Sequence, residues 1–324
     1  MNNILVMGEL LIDFIPCEKG RALKDVDNFQ RAAGGAPGNV AAAVSKLGGK
    51  AMMVSKLGQD AFGDHIIENL SNAGVDTKYV FRTNEAKTAL AFVSLDKEGN
   101  RDFSFYRSPS ADLFLSPDDI TEEMFDDCSV FHFGSVDLVD FPVKKAHKRA
   151  IEIAKAKGIT VSFDPNIRLP LWDSAEECQK AVREFLPYAD IVKISDNELE
   201  FITGKDDPAE AAKVLFENGC KFFMYTKGKD GAEAFTKNVH VSMPCFPVEV
   251  VDTTGAGDSF MGSMLYSITQ NGLSLEELEN IDEDTLKEFV RFSSLYAAST
   301  TTRKGGACSM ATMNEIKEFE KRFK

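Results

Sequence analysis

The sequence predicts an α/β protein: a doubly wound, mostly parallel central sheet flanked by helices, with a small separate β-sheet. Three observations carry this. From residue 129 onward, short apolar runs alternate with amphipathic helical patterns, as in a parallel sheet covered on both faces. Residues 88–107 break that rhythm. Two strand-like runs, 88–95 and 101–107, are joined by Lys97-Glu98-Gly99-Asn100 with no helix between them, which reads as a hairpin. The chain has 324 residues, 44% of them hydrophobic and 27% charged, enough for one large α/β domain with an inserted element. A single domain over residues 1–324 is therefore expected, with the small sheet drawn from about 12–32 and 88–107.

In chain order, the first strand spans residues 4–7 and is ended by Gly8. Residues 9–18 continue extended and carry Asp13 and Pro16, and a polar stretch runs on to residue 32. Gly34-Gly35-Ala36-Pro37-Gly38 then opens a helix over 39–47, closed by Gly48. A strand is expected over 52–56 and a helix over 62–73, stopped by Gly74. After the hairpin come strands at 130–133, 159–163, 191–194 and 222–225. The helices between and after them fall at 143–157, 175–186, 198–202 and 208–217. Residues 232–235 and 239–243 read as a closing antiparallel hairpin. A strand-like run at 247–251 leads to helices over about 258–271 and 284–300. There is no internal repeat and no low-complexity segment.

The formal net charge of −14 argues against nucleic acid as a partner, which would need clustered Lys and Arg. A local field can still favour a small phosphate-bearing ligand. The six cysteines form no CxxC pair and there are only four histidines, so no zinc site is expected. Scattered single cysteines fit a reducing compartment. With no basic leader and no apolar run of membrane-spanning length, neither a signal peptide nor a membrane contact is expected, and the expected location is cytoplasmic.

The stretch Asp252-Thr-Thr-Gly-Ala-Gly-Asp-Ser-Phe260 carries the chemistry. It precedes the helical apolar pattern of Phe260, Met261, Met264, Leu265 and Ile268, so Gly255, Ala256 and Gly257 sit at a helix N-terminus. Small residues there let backbone N–H groups approach an anion, and the helix dipole favours negative charge. Asp258 in the first turn could take the proton of an attacking hydroxyl while those N–H groups hold a phosphoryl group. Read alone, a Gly-rich turn followed by a first-turn acid would look the same.

Residues 252–260 closely resemble the C-terminal signature of the ribokinase (PfkB) family of carbohydrate kinases, and Gly34-Gly35-Ala36-Pro37-Gly38-Asn39-Val40-Ala41 resembles its N-terminal signature. The resemblance runs along nearly the whole chain. It implies a ribokinase-like fold with the small sheet as a lid, and ATP-dependent phosphorylation of a sugar hydroxyl with Mg2+. It further implies that Asp258 is the base, that Gly255, Ala256 and Gly257 form the anion hole, and that Gly34, Gly35, Asn39 and Asp13 meet the sugar. Asn197 and Glu200 match the family's N-x-x-E element, the first near the nucleotide phosphates and the second orienting magnesium through water. Thr226, Gly228 and Gly231 fall at the nucleotide turn. Asp252, Thr254, Arg303, Gly305 and Ser309 fall where relatives hold a monovalent cation, K+ among them.

Within the family the chain is most similar to fructokinases, in Gly8-Glu-Leu-Leu-Ile-Asp-Phe, in Phe105-Tyr-Arg-Ser-Pro-Ser-Ala-Asp112 and in Phe163-Asp-Pro-Asn-Ile-Arg-Leu-Pro-Leu-Trp172. Asp164, Asn166 and Arg168 alternate after a parallel strand, at the end where α/β sheets bind ligands. By the period of two, Phe103, Phe105 and Arg107 share one strand face, placed over the sugar. The expected reaction is phosphorylation of D-fructose on O6, with Arg107 and Arg168 covering the remaining oxygens. The alternative is a 2-keto-3-deoxygluconate kinase, whose acidic substrate would suit two arginines. A non-catalytic sugar sensor would need no base such as Asp258. A nucleotide-dependent oxidoreductase would carry GxGxxG after the first strand, where this chain has Gly8-Glu9-Leu10-Leu11. The exposed edges of a lid sheet also make a homodimer through lid sheets an expectation.

Overall fold

The computed structural model describes residues 3–18, 20–95 and 101–323, with the backbone alone at 94–95 and 101–103. The expected turn at 97–100 lies outside the described residues. In chain order the strands are β1 (Asn3–Met7), β2 (Leu11–Pro16), β3 (Phe29–Gly34), β4 (Lys50–Gly58), β5 (Asp76–Thr83), β6 (Ala89–Leu95), β7 (Arg101–Tyr106), β8 (Cys128–Gly134), β9 (Thr160–Asp164), β10 (Ile191–Ser195), β11 (Phe222–Thr226), β12 (Ala232–Phe235) and β13 (His240–Met243). The helices are α1 (Ala36–Lys46), α2 (Ala61–Asn72), α3 (Pro142–Ala156), α4 (Ala175–Phe185), α5 (Asp196–Thr203), α6 (Pro208–Glu217), α7 (Ala256–Gln270), α8 (Leu275–Glu279), α9 (Glu283–Thr301) and α10 (Met313–Glu320).

The central sheet runs β13-β12-β11-β10-β9-β8-β1-β4-β5. It is parallel from β11 to β5, and the antiparallel β12 and β13 close one edge. From β1 the chain builds outward through β4 and β5, then returns to build the other way from β8. The order therefore reverses between β1 and β8, and the crevice at the strand C-termini there is where such sheets take ligands. β1 is buried on both faces, as a central parallel strand must be. Its residues alternate between two cores. Ile4 and Val6 join the layer of α1, α2, α7, α9 and α10, while Leu5 and Met7 join that of α3 to α6.

The small sheet has the order β3-β2-β6-β7. β2 is antiparallel to β3 and parallel to β6, which pairs antiparallel with β7. Its two faces differ. On one, Phe14 stacks on Phe92 with centroids 4.7 Å apart and meets Phe62 of α2 edge-on, which fastens the sheet to the domain. On the other, Asp13, Ala91 and Phe105 lie in one cross-strand row, and Phe105 packs on Leu11, Ala89 and Ala91. The side chain of Phe103, expected on that face, lies outside the described residues.

Helix α1 begins at Ala36, three residues before its expected start. Gly35 is its N-cap at φ +106°, and Pro37 sits in its first turn. A methyl on Gly35 would collide with the Glu9 carbonyl, so both conformation and space require glycine there. Small residues also set the spacing of α1 and α7. A Cβ on Gly262 would fall 2.7 Å from the Ala43 Cβ and 2.8 Å from the Val40 carbonyl.

One expected strand is absent and one observed strand was not expected, each for a local reason. Residues 247–251 form no strand; Val251 and Asp252 instead donate their N–H groups to the Thr301 carbonyl at the end of α9. Pro244 and Pro247 remove two of the donors that a further edge strand would need. Conversely, β5 went unread. It is an edge strand in which Val80 alone is fully buried, so its apolar periodicity is faint.

Candidate active site

The turn into α7 is built by Asp252. Its Oδ1 accepts from the Thr254 N–H at 2.9 Å and the Thr254 hydroxyl at 2.7 Å, and its Oδ2 accepts from the Gly305 N–H at 3.0 Å. Gly255 then takes the left-handed conformation, φ +76°, as the N-cap of α7. A Cβ there would lie 3.2 Å from Met310 and 3.4 Å from Gly306. Thus Asp252, Thr254 and Gly305, three of the expected cation positions, are brought together around one carboxylate. Ser309 donates to the Gly306 carbonyl at 2.7 Å, beside them. Arg303 turns away to Glu315, 3.1 Å distant.

Asp258 follows in the first turn of α7, half-buried. The Asn39 side-chain amide donates to its Oδ2 at 2.7 Å. Because a carboxylate only accepts, the NH2 of Asn39 must be the group facing it. Asn39 Oδ1 is then buried with no partner among the described residues. Burial pushes the Asp258 carboxyl above its ordinary value, opposed first by the Asn39 hydrogen bond and then by the charges of Lys193 and Arg168. Its proton affinity is therefore raised, the direction that favours accepting a proton.

Lys193 of β10 lies under this turn. Its Nζ is 2.8 Å from Asp164 at the end of β9, both side chains being only 5% exposed. It also sits 3.3 Å from where a Cβ on Gly257 would be. The ammonium thus adjoins the N–H groups that open α7. Burial pushes Asp164 up to about 6 despite Lys193. Lys193 itself stays protonated, because Asp164 and Glu198 outweigh its desolvation. Lys193 is not among the expected site residues, although a lysine between apolar neighbours in a buried strand is legible in the sequence.

The carboxylate that faces this network from α5 is Glu198. Its Oε2 accepts from the N–H and hydroxyl of Ser195, at 3.0 and 2.6 Å, and its Oε1 accepts from the Ile167 N–H at 2.6 Å. Burial raises its proton affinity, but Lys193 and these donors hold it below the usual carboxylate range. Asn197 and Glu200, expected at the phosphates and the metal, stand exposed on the outer side of α5. They share a face, as their spacing requires, but that face points to solvent. Of the two glutamates on α5, Glu198 faces the buried Lys193 network and Glu200 does not.

Across the crevice, Thr226 ends β11 and pairs in register with Ser195. Gly228 and Gly231 have φ +52° and +98°. A methyl on Gly231 would collide with the Met243 carbonyl, so that glycine also serves the packing of β12 on β13. On the lid side, a methyl on Gly34 would strike the Asp13 carboxylate. Arg168 donates to its neighbour's Ile167 carbonyl at 2.9 Å and acts electrostatically on Asp258.

Arg107 departs from its expected place over the sugar. It follows β7 and is buried. Nε donates to Asp112 at 2.8 Å and Nη1 to the Val136 carbonyl at 3.2 Å, while Nη2 pairs with Asp112 at 2.6 Å and with Asp137. Strand alternation does not carry past the end of β7, and two buried acids draw the guanidinium inward. Among the described residues no three His, Cys, Asp or Glu side chains form a ready metal cage, and no helix is long and apolar enough to cross a membrane.

The Asn39 contact predicts a pH effect. Asp258 accepts a proton only when ionised, so if it serves as the base for a reacting hydroxyl, kcat/KM falls as pH drops through its pKa. Asn39 holds that pKa down. In Asn39→Ala the acidic limb of kcat/KM against pH should move to higher pH, and an unmoved limb would show that Asn39 does not govern the ionisation of Asp258.

Comparison with known proteins places this site in a family. The model of the pfkB family carbohydrate kinases matches residues 1–313. The chain is 44% identical over 319 residues to probable fructokinase-2 of Arabidopsis thaliana, covering 98% of this chain and 95% of that protein. It is 44% identical over 315 residues to fructokinase-2 of Solanum lycopersicum, covering 96% and 94%. Among solved structures, fructokinase with bound ATP from Xylella fastidiosa superposes with a TM-score of 0.89 at 33% identity, covering 99% of each chain. Fructokinase from Vibrio cholerae in its fructose, ADP and calcium ion bound form gives 0.88 at 30% identity, covering 98% of this chain and 99% of that one. With a lid sheet, a switch-point crevice and a carboxylate beside a helix N-terminus, the chain belongs to the pfkB family of carbohydrate kinases and is a phosphotransferase acting on a sugar.

Proposed function

We propose that the protein is a fructokinase that transfers the γ-phosphoryl group of ATP to the C6 hydroxyl of D-fructose. The observation that carries this is the juxtaposition of Asp258, gripped by Asn39 at 2.7 Å, with the glycine-rich start of α7. A proton acceptor and a set of anion-holding N–H groups share one helix end. The fructokinase names of the relatives support the choice of sugar.

In this reading Asp13, the backbone at Gly34 and Gly35, and Asn39 seat the sugar, with the unpaired Asn39 Oδ1 accepting from a sugar hydroxyl. Phe105 on the lid face closes over it and excludes water, which would otherwise compete as acceptor. Asp258 takes the hydroxyl proton as the oxygen attacks the γ-phosphorus, and the bond to the bridging oxygen of ADP breaks. The N–H groups of Gly255 to Gly257 hold the equatorial phosphoryl oxygens, with Lys193 beside them. The glycine cradle next to a buried ammonium fits a polyphosphate. Thr226 lies where the nucleotide would enter. Magnesium, bound with the nucleotide, would neutralise charge between the β- and γ-phosphates, and Glu198 is the acid placed to orient its water shell.

The rival acceptor is 2-keto-3-deoxygluconate. Recognising its carboxylate would fall to Arg107 and Arg168, yet the Arg107 guanidinium is committed to Asp112, Asp137 and Val136. That leaves Arg168 alone and favours a neutral sugar.

Two measurements test the proposal. ADP release with fructose, ribose, glucose and 2-keto-3-deoxygluconate should give the highest kcat/KM for fructose. A keto acid better by more than about tenfold, ~1.4 kcal/mol of transition-state binding, would overturn the fructose assignment. Glu198→Gln should raise the magnesium concentration needed for half-maximal rate, and Glu200→Gln should not. The opposite pattern would return the metal role to Glu200.

A further inference from the structure

Glu9 follows β1 and is only 4% exposed, yet the reaction described above leaves it without a part. Its Oε1 accepts from the Ala36 N–H at 3.1 Å. Ala36 is the first residue of α1, and its N-cap Gly35 has no side chain to satisfy the free donors there. Glu9 therefore acts as a cap supplied from outside the helix. The charged groups that act on Glu9 come from three other segments. Arg107 comes from the exit of β7, Asp112 from the short turn Ala111–Phe114, and Asp137 from the loop after β8. Arg107 is held by both of those acids. Glu9 thus stands between the end of the lid sheet and the turn that carries Gly34, Gly35 and Asn39.

We propose that Glu9 is a positioning residue for the sugar acceptor: its carboxylate holds the first turn of α1, which seats the sugar, within the field of the Arg107 guanidinium at the exit of the lid sheet. This rests on the sugar-kinase site proposed above and adds a part of the chain that touches neither sugar nor nucleotide.

Three carboxyls face one guanidinium in a buried cluster, and they cannot all be ionised cheaply. Burial pushes Glu9 up to about 7 and Asp137 well above its usual range, with Arg107 opposing both. Arg107 remains charged, because Asp112 and Asp137 outweigh its desolvation. Below about 7 Glu9 is a neutral acid, which grips the Ala36 N–H weakly. Above that pH it is an anion at a helix N-terminus, where both the hydrogen bond and the dipole favour charge. The sugar turn is therefore held more firmly as pH rises. Glu9→Gln keeps the size and the accepting oxygen but is fixed in the neutral form.

The test is steady-state kinetics with fructose at saturating ATP from about pH 6 to about pH 8, with the thermal midpoint of each variant measured alongside. In the wild type the fructose KM should fall several-fold across that range. Glu9→Gln should hold the high, low-pH KM throughout, with kcat within about threefold and the thermal midpoint little changed. Glu9→Ala should raise KM further, by about tenfold; should it fail to fold, Glu9→Gln decides alone. A Glu9→Gln enzyme that follows the wild-type KM curve overturns the proposal. So does one that loses kcat and thermal stability at unchanged KM, which is a merely structural role. A wild type that phosphorylates no sugar overturns this proposal together with the function on which it rests, whereas an active wild type matched by both variants overturns this one alone.

Discussion

The close approach of α1 and α7 is the constraint on which the site depends. Gly262 leaves no room for a Cβ between the Ala43 methyl and the Val40 carbonyl, so the two helices pack backbone to backbone. Their N-termini then converge, one delivering Asn39 and the other Asp258, and a 2.7 Å hydrogen bond joins them. The two signatures lie more than two hundred residues apart in the sequence. They become one site because small residues at the helix contact let their backbones meet.

Electrostatics then separates the roles of several buried acids in one crevice. The chain as a whole is strongly acidic, but beneath α7 the balance is local. Asp164 and Lys193 are paired at 2.8 Å. Removing one partner of such a pair typically costs about 3–5 kcal/mol, because the other charge is left buried and alone. The same lysine lowers the proton affinity of Glu198 and of Asp258. Burial dominates at Asp258, which is left a better proton acceptor. At Glu198 the lysine and three donors prevail and lower its proton affinity. The Arg107 cluster under the lid works by the same physics, with Asp112 and Asp137 keeping the guanidinium charged and inward.

What could be read from the sequence were the features set by contiguous residues. The 252–260 stretch announced a glycine-rich helix start with its acid, and the hairpin at 88–107 announced a second sheet. What was missed depended on phase or on partners distant in sequence. Asn197 and Glu200 were matched to the family's N-x-x-E element, yet α5 begins at Asp196 and turns that pair outward. The Ser195–Glu198 capping box was present in the sequence and would have pointed Glu198 back toward the strand ends. Arg107 was placed by strand alternation, which lapses where β7 ends, and neither Asp112 nor Asp137 could be identified as its partner from a linear pattern. Edge strand β5 buries too little to announce itself. The proline-broken run at 247–251 looked like a strand because its valines are β-branched, although it pairs with no neighbour in the sheet.

In the proposed reaction Asp258 removes the acceptor proton. Replacement by Asn preserves size and the possibility of a hydrogen bond with Asn39 while removing the basic oxygen. The most direct measurement is kcat of purified Asp258→Asn with fructose and ATP, together with fructose affinity by calorimetry. The account predicts a fall in kcat of at least ~10²-fold with sugar affinity largely kept. Near-normal turnover in that variant would contradict it.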